Sequence, residues 1–222
     1  MEMEAKAKCS KDNLEPQAPD ALGLRFGGKL MSAYQINPEN EVAVKNLLTA
    51  YASESNAHTS YSAYAGKADS DGLHGTASLL RAIARSEQIQ ASNHAHVIRQ
   101  LGGEPEAEIQ PFEVETTLEN LTVALGEEIY EIDSMYPRFL EENQSTDNSA
   151  AQTLTWALEA ERASARLLSE EIRQMRAVSA DSLPATSADF YVRSVCGYVS
   201  KTPEPQRCWV CNRLCSTFET IH

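Results

Sequence analysis

The chain has 222 residues, 42% hydrophobic and 23% charged, enough for one globular domain of ordinary size with an appendage. Its formal net charge of -13, from 32 acidic against 19 basic residues, argues against nucleic acid as the main partner, because phosphate binding needs a basic surface. No apolar run approaches the ~20 residues of a membrane helix, and Met1–Leu14 lacks a signal-peptide core, so the expected address is the cytoplasm.

Residues 1–36 mix charges with Pro16, Pro19, Gly23, Gly27 and Gly28 and show no sustained periodicity. They read as an extended arm whose glycines do not fall in a phosphate-loop pattern. Four helical segments follow, over residues 37–178. The first opens at Asn37-Pro38-Glu39, an N-cap with proline at the first helical position, and runs to about Ala65. The second spans about Leu73–Leu101 and stops at Gly102-Gly103. The third begins at Thr116, with Glu119 three residues on as a capping box. It continues to about Asn143, with Pro137 expected to kink it. The fourth covers about Asp147–Ala177. Long helices joined by mostly modest loops predict an all-α four-helix bundle. Residues 179–189 read as a linker. Residues 190–222 form a small cysteine-containing module, short enough to need a metal or a staple.

Helical phase gives the central observation. The apolar seams read Leu47, Tyr51, Glu54, His58, Tyr61 in the first helix and Leu80, Ile83, Glu87, Gln90, His94, Val97 in the second. They read Leu121, Leu125, Glu128, Ile132, Met135 in the third and Leu154, Leu158, Glu161, Ala165, Leu168 in the fourth. Spacings of three and four residues put each series on one face. Every helix therefore carries one carboxylate midway along its buried stripe.

One inward glutamate is easily a misjudged surface residue; four in corresponding positions are not. Buried carboxylates must protonate, pair or bind metal, and these seams hold no Lys or Arg. Glu131, three residues after Glu128, adds a fifth carboxylate on nearly the same face. Five negative charges are largely offset by two divalent cations, and oxygen ligands favour hard or borderline ions such as Fe²⁺, Mn²⁺ or Mg²⁺. Four of the five cysteines, Cys196, Cys208, Cys211 and Cys215, crowd the C-terminal module. Without a signal peptide that clustering points to metal rather than to disulfides. Cys9 reads as an ordinary free thiol.

These residues resemble those of the rubrerythrin family. The resemblance lies in Ser53-Glu54-Ser55-Asn56-Ala57 with Tyr61, in Thr117-Leu118-Glu119-Asn120-Leu121, in Glu128-Ile129-Tyr130-Glu131 and in Met135-Tyr136-Pro137. The tail is similar to the family's rubredoxin-like module through Cys196-Gly197-Tyr198, Pro205 and Cys208-Trp209-Val210-Cys211. The resemblance implies a ferritin-like bundle with two Fe (or Mn), one Fe or Zn in the module, and generally a homodimer. Peroxide or dioxygen would be the substrate, with electrons reaching the bundle from the cysteine-held iron. It also implies Glu54, Glu87, Glu128, Glu131 and Glu161 as metal ligands, with Glu87 and Glu161 bridging, and Tyr61 and Tyr136 as hydrogen-bond donors to ligand carboxylates.

The departures from the family are specific. Its second and fourth helices carry Glu-x-x-His, whereas here the positions read Glu87-Gln-Ile-Gln90 and Glu161-Arg-Ala-Ser164. The amide oxygen of Gln90 is a usable ligand, Ser164 a poor one. His58 is the nearer substitute, while His94 lies seven residues after Glu87, ~10 Å along the axis, and reads as packed near the site. His74 and His96 read as surface residues. In the module, Arg193 stands where the first cysteine belongs, which leaves Cys215 as a fourth ligand, a three-cysteine site, or a module that keeps its shape without metal. Two readings follow from the sequence: a di-metal peroxide reductase, or a non-catalytic metal-binding or interaction protein that keeps the bundle.

Overall fold

Helix α1 (Glu41–Ser70) follows a 3-10 turn at Pro38–Asn40. The turn takes the proline, although the Asn37 side chain makes no capping bond. The helix outlasts its expected end near Ala65 because Tyr64, Ala65 and Ala68 are still buried. It stops at Gly72, where φ is +75°, a conformation open to glycine at little cost. This computed structural model describes residues 36–143, 148–177, 188–203, 207–214 and 218–222. The N-terminal arm apart from Ile36, Cys9, most of the linker, and Cys215 lie outside the described residues.

Helix α2 (His74–Gln100) runs back along α1 and ends before Gly102. The next segment travels the length of the bundle. At its start Gly103 lies so close to Val44 and Ile98 that a Cβ there would sit 2.9 Å from each. Midway, Asn56 holds it with bonds to Glu108 O at 3.2 Å and from Gln110 N at 2.6 Å. At its end Thr117 donates to Asp71 at 2.7 Å. This is the lengthwise crossover of a ferritin-type bundle.

Helix α3 (Thr117–Tyr130) begins with both arms of the expected capping box, between Thr116 and Glu119. Pro137 does not produce a simple kink. A π-helical turn, Glu131–Met135, comes first, and α4 (Tyr136–Glu142) then carries the proline in its first turn. Proline has no N–H to return to the preceding turn, and the wider turn removes that demand. Helix α5 (Asn148–Ala177) completes the bundle.

Apolar side chains form two cores with the carboxylates between them. One is built from Val44, Leu47, Ile98, Phe139 and Leu154, the other from Tyr61, Leu80, Ile83, Leu121 and Leu168. Each fully buried Leu or Ile contributes roughly 2 kcal/mol, and together they stabilise a fold that carries buried charge at its middle.

The module is a three-stranded antiparallel sheet of β1 (Phe190–Arg193), β2 (Val199–Ser200) and β3 (Phe218–Ile221), in the order β2-β1-β3. Phe190, Val192 and Val199 join the second apolar core. Arg85 of α2 pairs with both oxygens of Glu219 at 2.8 Å, and Asn93 donates to Val195 O at 2.9 Å. The sheet is thus pinned along α2. Among the described residues no helix is long and apolar enough to cross a membrane.

Candidate metal centre

The five glutamates are all buried, with Glu54, Glu87 and Glu161 fully inaccessible. They converge as two overlapping triads. Glu54, Glu131 and Glu161 present oxygens within 4.8 Å of one another, and so do Glu87, Glu128 and Glu161. Glu161 belongs to both triads; Glu87, paired with it as a bridge in the family scheme, belongs to one.

Helix geometry explains the convergence. Each glutamate sits midway along its inward stripe, between residues of the two apolar cores. Glu128 and Glu131, three residues apart at the end of α3, both face inward, and the π turn that begins at Glu131 changes the phase of the residues after it. The widened turn is a feature periodicity could not reveal.

Buried oxygens without donors crowd this space: both carboxylate oxygens of Glu87 and Glu161, one each of Glu54 and Glu128, the amide oxygen of Gln90 and the hydroxyl of Ser164. Leaving such groups unmatched costs about 1–3 kcal/mol apiece. Burial raises all five carboxyls above their ordinary range, and neighbouring carboxylates push further on Glu87, Glu131 and Glu161. Glu128 rises to about 8. Only protons or cations relieve this, and two divalent ions would match the oxygen donors and nearly cancel five charges. The residues fit a di-iron pair.

The replaced histidines have distinct fates. Gln90 is buried, donates to Ser86 Oγ at 3.1 Å and sits beside Glu161, easing its charge. Ser164, one turn after Glu161 on α5, is also fully buried. His58 is not among the side chains that converge on the cage. Its Nδ1 is 2.7 Å from the Ala84 carbonyl, on a surface cleft shared with Gln88 and Arg99. His74 and His96 are at the surface, as expected.

His94 does more than pack. Tyr136 gives its only proton to Glu54 Oε1, so its oxygen accepts from His94 Nε2 at 3.3 Å. That leaves His94 Nδ1 to accept from Thr153 Oγ1 at 3.1 Å. Burial holds the imidazole down at about 3, hence neutral. A string of donors, Thr153 to His94 to Tyr136 to Glu54, fixes one carboxylate oxygen and leaves the other free. Tyr61 also reaches the carboxyls of Glu128 and Glu127, favouring their charged forms, and its hydroxyl meets the Ala124 carbonyl at 3.3 Å. Ser53, which the sequence placed in a family motif without a role, donates to Glu131 at 2.5 Å.

In the module Cys196, Cys208 and Cys211 offer sulfurs within 4.8 Å of one another. Cys196 and Cys208 Sγ are 3.8 Å apart, the separation of two thiolates about 2.3 Å from one tetrahedral ion. The hydrogen bond with Cys196, helped by the Cys211 and Val210 amides, draws Cys208 down to about 5. Arg193 is fully buried but aims elsewhere, donating to Leu214 O at 2.7 Å and lying 3.8 Å over the Phe218 ring. Gly197, with φ +80°, comes so close to α2 that a Cβ would lie 2.8 Å from Ser86 Oγ and 3.2 Å from Gln90 Cγ. The cysteine loop thus rests on the residue standing in for the family's histidine.

Fold and site define a ferritin-like carboxylate bundle joined to a small thiolate module. The rubrerythrin family model matches residues 45–172. Rubrerythrin-2 of Clostridium acetobutylicum is 29% identical over 77% of this chain and 95% of its own length. Nigerythrin of Nitratidesulfovibrio vulgaris is 30% identical over 79% of this chain and 84% of its own. The solved structure of fully reduced, all-ferrous nigerythrin superposes with a TM-score of 0.70 at 24% identity, covering 90% of this chain and all of that one. A Desulfovibrio desulfuricans bacterioferritin with a di-iron site follows at 0.61 and 22%, covering 68% of this chain and 92% of its own. At those identities the structures attest the fold alone. The chain belongs to the rubrerythrin family, whose bundle binds two irons and whose known role is peroxide reduction with electrons from a donor.

Proposed function

We propose that this chain is a di-iron peroxide reductase whose iron pair is held by Glu54, Glu87, Glu128, Glu131 and Glu161. The observation that carries the reading is the pair of carboxylate triads sharing Glu161, with both oxygens of Glu87 and Glu161 and one each of Glu54 and Glu128 buried without a donor. Glu161 is the ligand offered to both iron positions, and the amide oxygen of Gln90 takes up one lost histidine's role. Cys196, Cys208 and Cys211 hold a further iron, for which Cys215 is the candidate fourth ligand.

Reducing hydrogen peroxide to two waters takes two electrons and two protons, and an iron pair supplies the electrons. The chain's residues do the rest. Thr153, His94 and Tyr136 orient Glu54, so that its unbonded oxygen is committed to metal. Burial of the cage excludes bulk water and keeps ligand charges strong. The Gly197 loop on Ser86 and Gln90 brings the thiolate site against the helix that bears Glu87, a short internal route for electrons. We further propose a cytoplasmic homodimer fed by an external electron donor. Exposed Ile109, Phe112 and Val114 on the crossover offer it apolar surface.

A second reading, metal binding without turnover, draws on Ser164 and Arg193, two positions where ligands have been lost. Anaerobic reduction followed by rapid mixing with hydrogen peroxide separates the two. Oxidation of the bundle iron within seconds supports the reductase; loaded iron that stays reduced supports the binding protein.

A further inference from the structure

A cleft of about 330 Å³ opens between α1 and α3, walled by Ser53, Ala57, Gly126, Glu127 and Tyr130. Glu131 closes its inner end, and Glu131 is also a member of the Glu54–Glu161 triad. The clefts beside His58, Cys211 and Leu48 contain none of the five carboxylates. Here alone among these four, the surface reaches the cage through a single side chain, and the Ser53 hydroxyl holds that side chain against the α1 wall.

Gly126 is the unexplained residue of this cleft. It lies inside α3, where glycine is the poorest helix former after proline. Its backbone φ is not positive, so the turn does not require glycine. Nor does packing, since a Cβ at this position would meet nothing within 4 Å. What the missing side chain leaves is open space on the exposed wall of a cleft that the buried Glu131 also lines.

We propose that this cleft is the route by which hydrogen peroxide reaches the carboxylate cage, with Gly126 setting the width of its mouth. The inference rests on the reductase reading for the identity of the oxidant, but not for the route itself. Peroxide is small, uncharged and able to exchange hydrogen bonds with Ser53, Asn56 and Glu127 along the walls. A larger side chain at 126 narrows the passage while leaving every carboxylate in place.

The test uses the iron-loaded full chain with Gly126→Leu, the milder Gly126→Ala in case leucine disturbs folding, and Gly66→Leu as a control. Gly66 is exposed on α1, has equal space and lines none of these clefts. Two rates are read by rapid mixing: azide binding to the oxidised iron, and oxidation of the reduced iron by hydrogen peroxide. Both should fall about tenfold in Gly126→Leu and about twofold in Gly126→Ala, with Gly66→Leu and iron content unchanged, as expected when a pocket mouth is filled. Azide rates equal to the unsubstituted protein's in both Gly126 variants would overturn the route. Azide slowed by Gly126→Leu, with no peroxide oxidation in the unsubstituted protein, supports the route and removes the reductase reading.

Discussion

In Glu128→Gln a buried carboxyl gives way to an amide of nearly the same shape, so the metal-free fold loses a titrating group and the repulsion it exerts on Glu87 and Glu161. Burial holds the Glu128 carboxyl at about 8, against 4.5 when free. A group raised in this way contributes its full stability below pH 4.5 and loses it as pH climbs through 8, because the unfolded chain releases the proton long before the folded one does. The arithmetic gives a cost to the folded state of about 4 kcal/mol at pH 8 and under about 1 kcal/mol at pH 5. Glutamine has no such cost. With about 3 °C per kcal/mol for a domain of this size, metal-free Glu128→Gln should melt about 10 °C above the unsubstituted protein at pH 8 and within about 3 °C of it at pH 5. Calorimetry with a strong chelator present reads both values. Iron binding should move the opposite way, because a ligand is gone. A variant that melts lower at pH 8, or that gains equally at both pH values, would refute the claim that the cage is held against its own charge.

Other substitutions probe the remaining parts. Tyr136→Phe and His94→Leu break the donor string to Glu54; each should weaken iron binding by about 10- to 100-fold in competition titrations. His94→Leu should also cost about 1–3 kcal/mol in a melt, since it leaves the Thr153 and Tyr136 groups without their partner. Cys208→Ser should remove about one metal per chain and the thiolate absorption band while the bundle iron stays. Gly197→Ala forces a Cβ to within 2.8 Å of Ser86 Oγ at a φ of +80°. It should cost about 1–3 kcal/mol and slow electron transfer from the module, measured by photoreduction of the thiolate iron.

The bundle and its five carboxylates were legible in the sequence because a helical period fixes which side chains face inward. Four glutamates in phase are a strong signal. What periodicity cannot carry is backbone irregularity and tertiary choice. Pro137 announced a disturbance, but its form, a π turn starting at Glu131, depends on packing around the proline. His58 sits on the same stripe as Glu54, yet its ring turns outward because the Ala84 carbonyl is in reach. The part of His94 depends on Tyr136 and Thr153, which lie 42 and 59 residues away. The docking of the cysteine loop on Gln90 is likewise a contact between distant segments. The spacing of the cysteines could suggest the module, but not where it rests.

The central claim is that the carboxylate cage binds two irons and gives their electrons to peroxide. Metal analysis of protein prepared without oxygen, followed by rapid mixing with hydrogen peroxide, tests it directly. The account predicts two bundle irons per chain, a further one in the module that Cys208→Ser removes, and rapid oxidation of the bundle pair. Less than about half an iron per chain in the bundle, against the two that five carboxylates should balance, or a loaded pair that peroxide leaves reduced, would contradict it.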